Sequence, residues 1–205
     1  MQDIYTLTML LSIISFAVAT AFSPGPNNLM LLSSGLTFGY RKTLPHIIGV
    51  MIGFPLMLVA VGLGVGTVFE IFPTLYDILK VLGMVYLLWM AWQIANSNGS
   101  ITQDKGKKKI PFTCTQAILF QWLNPKAWIM AITATTSFTH SEGHLFVQIL
   151  MIAFVYVIVG LGSTNSWALG GLFLQKVISN TRGVRVFNVT MAVLIVLSVL
   201  PFVFY

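Results

Sequence analysis

Five stretches of this chain contain no Asp, Glu, Lys or Arg: residues 4–40, 43–69, 81–103, 143–175 and 186–205. Each reaches the roughly 20 residues that a helix needs to cross the hydrocarbon core of a bilayer. With 11 basic and 5 acidic side chains in 205 residues, the chain falls far short of the roughly one-quarter charged content of a soluble domain. It is therefore read as an all-α integral membrane protein. The longest polar stretch, about Ser97 to Pro111, leaves no room for a separate soluble domain, so residues 1–205 are expected to form one membrane domain. A net charge of +6 would point a soluble protein toward nucleic acid. Here the basic residues sit in short connections between apolar runs, where they set orientation, and no nucleic-acid partner is expected.

The run from Ile4 to Tyr40 is too long for one straight crossing, since a helix of that length would reach about 55 Å against a core of about 30 Å. Ser23-Pro24-Gly25-Pro26-Asn27-Asn28 supplies the interruption. Pro24 and Pro26 cannot donate to the carbonyls of Thr20 and Phe22, and Gly25 loosens the backbone between them. The first helix is thus expected to stop at about Phe22 and resume from about Pro26 to Phe38. Further helices are expected over about Leu44 to Phe69, Thr74 to Ile94, Phe112 to Phe138 (interrupted at Asn124-Pro125-Lys126), Leu145 to Leu174 and Val184 to Phe204. That makes six transmembrane segments, two of them broken, joined across the middle by a basic loop at about 97–111.

The interruptions repeat. Pro26 and Pro125 lie 99 residues apart, and Gly62-x-Gly64 recurs as Gly160-x-Gly162. Each half (about 4–96 and about 112–205) reads as a broken helix, a Gly-bearing helix and a shorter helix. Three spans is an odd number, so the second copy enters the membrane the opposite way round, as two inverted three-helix repeats. Arg41, Lys42, Lys105, Lys107, Lys108, Lys109, Lys176, Arg182 and Arg185 share one side, which should be cytoplasmic, with both termini outside. A competing fold makes Ser23 to Asn28 a re-entrant turn and puts the N-terminus inside. No Lys or Arg precedes Arg41, so the first segment is expected to be retained rather than cleaved as a leader.

Pro26 suits the first position of a helix, which leaves the N–H groups of Asn27, Asn28 and Leu29 as a free helix N-terminus. Such an end attracts an anion, and the carbonyls freed upstream attract a cation. One break therefore offers both partners of an amino-acid zwitterion. The bland alternative is a kink whose freed groups are satisfied by neighbouring side chains. At the second break Asn124 is a plausible N-cap, Pro125 the first helical residue and Lys126 the second. A lysine at a helix N-terminus adds to the positive end of the dipole, so it wants an anion, a substrate carboxylate being the attractive candidate; otherwise it snorkels to water or lipid phosphate. His46 is read as a titratable or ligand-contacting group or, more simply, as an interfacial polar residue. Asn165, in the polar patch Ser163 to Ser166, either faces a cavity or hydrogen-bonds between helices. Gly49-x-x-x-Gly53 is most simply a close-packing surface, and the lone Cys114 a small buried residue.

Absences narrow the function. No span carries a carboxylate, which disfavours a divalent metal or a lysine-type cargo, and no cofactor or metal is expected. No phosphate-binding glycine loop occurs, so pumping would draw on an ion gradient, with Lys126 and His46 the evident proton carriers.

Ser23-Pro24-Gly25-Pro26-Asn27-Asn28, Ser33-Ser34-Gly35, Gly39-Tyr40-Arg41-Lys42-Thr43-Leu44-Pro45-His46, Tyr86-Leu87-Leu88-Trp89-Met90-Ala91-Trp92, Leu123-Asn124-Pro125-Lys126 and Trp167-Ala168 together resemble the lysine-exporter and homoserine/threonine-efflux (LysE/RhtB) family over nearly the whole chain. The resemblance implies a bacterial inner-membrane exporter of amino acids or close derivatives, working by proton antiport. It also implies that Pro24, Gly25, Pro26, Asn27, Asn124, Pro125 and Lys126 lie at or near the transport pathway. Its likeness to the subgroup handling threonine, homoserine or cysteine derivatives agrees with the lack of intramembrane acids. A membrane enzyme would need a nucleophile, acid or metal set that the sequence does not show; a structural subunit would fill its breaks with side chains. Pairing as a homodimer in the lipid is expected from the small size.

Overall fold

A computed structural model describes residues 7–96, 111–140, 144–178 and 181–204. The helices are α1 (Leu7–Phe22), α2 (Pro26–Phe38), α3 (Tyr40–Ala60), α4 (Gly66–Ile71), α5 (Pro73–Ala95), α6 (Cys114–Leu123), α7 (Pro125–Phe138), α8 (Leu145–Val177) and α9 (Thr181–Phe204). No strand occurs among the described residues. Asp3, Glu142 and the basic connector Gly99 to Lys109 lie outside them.

Both expected interruptions are present. α2 and α7 each begin on a proline, the one residue whose missing N–H costs nothing in a first turn. α6 starts with a reciprocal cap: Thr113 Oγ1 accepts from Gln116 N at 3.2 Å and Gln116 Oε1 accepts from Thr113 N at 3.0 Å. Two connections are tighter than expected. Gly39, at φ +80°, ends α2 and starts α3 at once, so Arg41 and Lys42 belong to the first turn of α3 rather than to a loop. The gap expected between about Phe69 and Thr74 shrinks to Phe72, because α4 runs to Ile71 and Pro73 opens α5 directly. α3 runs through a widened turn at Val61–Val65 into α4, kinked where Gly64 adopts φ +105°. Gly160 and Gly162, by contrast, lie inside the uninterrupted α8. The two glycine pairs that look alike in sequence therefore have different conformations.

Among the described residues three helical stretches are long and apolar enough to cross a membrane: Tyr40–Val68, Asp77–Ala95 and Leu145–Val177. α1 and α2, bent by 55° at their break, make a fourth if taken as one span. Large apolar side chains point outward along these helices, Leu56, Val85, Phe154 and Phe173 among them, as a lipid-facing surface requires.

Inside, the first part of each broken helix packs on the long helix of the other half: α1 on α8 and α6 on α3. α2 also lies along α8, so closely that a Cβ on Gly171 would stand 2.0 Å from the Leu32 carbonyl oxygen. Gly49 and Gly53 do form a packing surface; Cβ atoms there would meet the Cys114 carbonyl oxygen at 2.4 Å and Ile118 Cα at 2.8 Å. Without a hydrophobic drive between helices in lipid, such backbone-to-backbone approach supplies much of the association. One apolar cluster joins α1, α3, α7 and α8 around Ile13, Met57, Ala131 and Ile152. A second joins α2, α5, α6 and α9 around Leu29, Leu87, Phe120 and Ile195.

Candidate functional site

Where the two breaks meet, a cavity opens with about 570 Å³ of empty space, its mouth included. Gly25, Asn27, Asn28, Asn124 and Lys126 line it, as do Thr20, Phe54, Gln121, Tyr156 and Ser163. The structure thus brings the two halves of the Pro-Gly-Pro and Asn-Pro-Lys pattern to one place.

Lys126 joins them. From the second residue of α7 its side chain reaches back to the first break and donates to Ser23 O and Ser23 Oγ, both at 2.7 Å, and to Pro24 O at 3.4 Å. Gly25 makes room for it: a Cβ there would stand 2.6 Å from Lys126 Cδ and 3.1 Å from Nζ. Expected to want an anion, the lysine is held here by neutral oxygens of the first break. Its charge rests just past the C-terminal end of α1, where the helix dipole and unpaired carbonyls favour a cation. The lysine is unfavourable to the start of its own helix and favourable to the end of another.

Of the Thr20 and Phe22 carbonyls expected to be freed by the prolines, Thr20 O takes a polar partner, and Ala21 O and Ser23 O do so as well. Asn28 Nδ2 donates to Ala21 O at 2.7 Å and to Ser23 O at 2.8 Å, and Ser163 Oγ donates to Ala21 O at 2.7 Å. Ser23 Oγ donates onward to Thr20 O at 2.8 Å. The loop Ser23–Gly25 turns the chain before α2 begins.

The two helix starts are not alike. Asn124 Oδ1 accepts from Lys126 N at 3.2 Å and so caps α7. α2 begins at Pro26 after Gly25, and no side chain caps it. Beside that uncapped end, Asn27 Nδ2 donates to Gln121 Oε1 at 2.8 Å, while Asn27 Oδ1 is buried without a partner. Gln121 is held in turn by its own donation to Ala117 O at 2.7 Å. Across the cavity Tyr156 hydroxyl and Thr20 Oγ1 are hydrogen-bonded at 3.0 Å. Gln121, Tyr156 and Thr20 were not singled out by sequence. Each is a polar side chain within an apolar run, and that alone was the available signal.

Two expected residues stand elsewhere. Asn165 does not line this cavity; it accepts from the Tyr40 hydroxyl and donates to Leu161 O at 2.7 Å, the interhelical use of the polar patch. His46 is buried rather than interfacial, 1% exposed, and borders a different cavity at the far end of α2. Pro24 and Pro125 shape the two breaks through their backbones and do not border the cavity.

An apolar helical shell around a cavity edged by polar side chains at two helix breaks fits a multi-pass membrane transporter. Sequence comparison gives the family: the chain belongs to the LysE type translocators, whose pattern matches residues 18–204. It is similar to the cysteine/O-acetylserine efflux proteins of Escherichia coli strain K12 and Shigella sonnei strain Ss046. Each is 27% identical over 192 residues, covering 93% of this chain and 95% of the relative. No solved structure matches the chain.

Proposed function

We propose that this protein exports small neutral amino acids or close derivatives, of the cysteine, O-acetylserine, threonine and homoserine type, across the bacterial inner membrane by proton antiport. The observation that carries the proposal is the meeting of both breaks, with Lys126, around one polar cavity. In this reading the cargo carboxylate binds between Lys126 Nζ and the uncapped start of α2 at Pro26, Asn27 and Asn28. The cargo ammonium takes oxygen acceptors of the same break, Asn27 Oδ1 and the carbonyls that Lys126 gives up. One positive charge leaves the Ser23 and Pro24 carbonyls as another arrives, so these oxygens keep a cationic donor in both states.

The relatives' names support the cargo class, and the absence of a cavity carboxylate argues against a cationic side chain. The whole chain acts in this proposal as one membrane domain of six spans, with inverted repeats at about 4–96 and about 112–205. The crossed packing of α1 on α8 and of α6 on α3 supports that symmetry. The basic connections face the cytoplasm and both termini the periplasm.

A purely structural subunit is disfavoured by a specific feature. Side chains fill the carbonyl end of the first break, yet the N-terminus of α2 stays uncapped and the cavity open. Replacing Lys126 by Met tests the proposal: efflux should fall to background with unchanged membrane abundance. Unchanged efflux would remove Lys126 from the mechanism.

A further inference from the structure

The second cavity lies at the opposite end of α2, with about 780 Å³ of empty space, its mouth included. It is bordered by Ser33 and Thr37 of α2, His46 of α3, Gln93 of α5, and Phe112 and Gln116 at the start of α6. It lies beside the Gly39 turn, the C-terminal end of α5 and the start of α6. Along α2 it is separated from the central cavity by Leu29 and Phe120, both buried in one apolar cluster.

No residue bordering this cavity carries a fixed charge; His46 is its one ionisable group. The His46 ring packs on Phe112, with centroids 4.9 Å apart, and both its nitrogens are buried without a hydrogen-bond partner. Buried polar atoms are nearly always paired, and a neutral imidazole asks for one acceptor and one donor. Three polar neighbours are occupied elsewhere: the Ser34 and Thr43 hydroxyls bond each other at 2.8 Å, and Gln116 Oε1 serves the cap of α6. A hydroxyl or thiol entering from the cavity would pair one of these nitrogens, as donor or as acceptor.

We infer that this cavity is a second solute site, where His46 holds the uncharged hydrogen-bonding side chain of an amino-acid cargo. The cargo's ammonium and carboxylate stay at the rim, beside the exposed Gln93 and Gln116. The inference rests on the exporter reading and adds a selection step to it. A hydroxyl, thiol or ester side chain fits among uncharged groups, whereas a cationic or anionic one would be buried unpaired at high cost.

Equilibrium binding of labelled cysteine, kept reduced, to the purified full-length protein tests this. Wild type should bind two molecules per chain and Lys126→Met one. His46→Leu should bind one, and so should Thr37→Phe, which fills the cavity and leaves the imidazole in place, should the His46 variant not fold. In Lys126→Met, unlabelled serine should displace the cysteine and lysine should not. One molecule per wild-type chain, lost in Lys126→Met, would overturn the second site and leave the exporter reading standing. Displacement by lysine as effective as by serine would overturn the selection step. No binding to wild type would overturn both readings.

Discussion

Replacing Gly25 by Ala should dislodge Lys126 without removing its charge. The backbone at Gly25 is extended, φ −179° and ψ 173°, a conformation open to alanine, so the perturbation is the added methyl alone. Its carbon would lie 2.6 Å from Lys126 Cδ, where carbon atoms ordinarily stand about 3.5–4.0 Å apart. The lysine stem must therefore retreat by about 1 Å, which pulls Nζ off Ser23 O and Ser23 Oγ, both at 2.7 Å. Hydrogen bonds to a charged group contribute about 1.5–3 kcal/mol each. Water in the cavity replaces much of that for a freed ammonium, leaving a net loss of about 1–2 kcal/mol for the pair. In detergent this lowers the apparent unfolding midpoint by about 2–4 °C per kcal/mol. A double-mutant cycle on thermal unfolding isolates the cause. With Lys126→Ala as background the methyl meets no side chain there, and Gly25→Ala should cost nothing further. An equal cost in both backgrounds would show that Gly25 is not there to admit the lysine.

Gly171→Ala forces a carbon to within 2.0 Å of the Leu32 carbonyl oxygen; backbone cannot yield as a side chain can, so overpacking of about 1–3 kcal/mol or more should lower the protein's abundance in membranes. Gly66→Ala, with nothing within 4 Å, is the matched control and should leave abundance unchanged. Asn124→Ala removes the cap on α7 and should cost about 1 kcal/mol in thermal unfolding, largely restored by Asn124→Ser, since serine is an equally good cap.

Helix ends were readable from the chain because their causes are local. Pro26 and Pro125 set the starts of α2 and α7 through a missing donor and a fixed φ, properties of one residue that need no partner. The same residues marked the two breaks that meet at one cavity. What the chain did not disclose is complementarity at a distance. Lys126 looked misplaced because its partner, Ser23, is 103 residues away, and a lone charge in an apolar run says nothing about what faces it. Asn165 was equally ambiguous until Tyr40, 125 residues off, claimed its oxygen. His46 was read most simply as an interfacial polar residue, on a chain that leaves a loop holding Arg41 and Lys42. The single-residue turn at Gly39 instead carries all three into α3, and His46 faces inward. The glycine pairs misled for the opposite reason. Identical letters at Gly62-x-Gly64 and Gly160-x-Gly162 serve a kink in one helix and a smooth stretch of another, because the surroundings, not the glycines, decide which is used.

The central claim is export of neutral amino acids through the cavity at the two breaks. Counterflow in proteoliposomes loaded in turn with threonine, cysteine, leucine and lysine, with and without an imposed pH gradient, tests it most directly. The account predicts saturable, gradient-driven movement of threonine or cysteine, little movement of lysine, and loss of all movement in Lys126→Met. Folded wild-type protein that moves none of them, or that moves lysine as readily as cysteine, would contradict it.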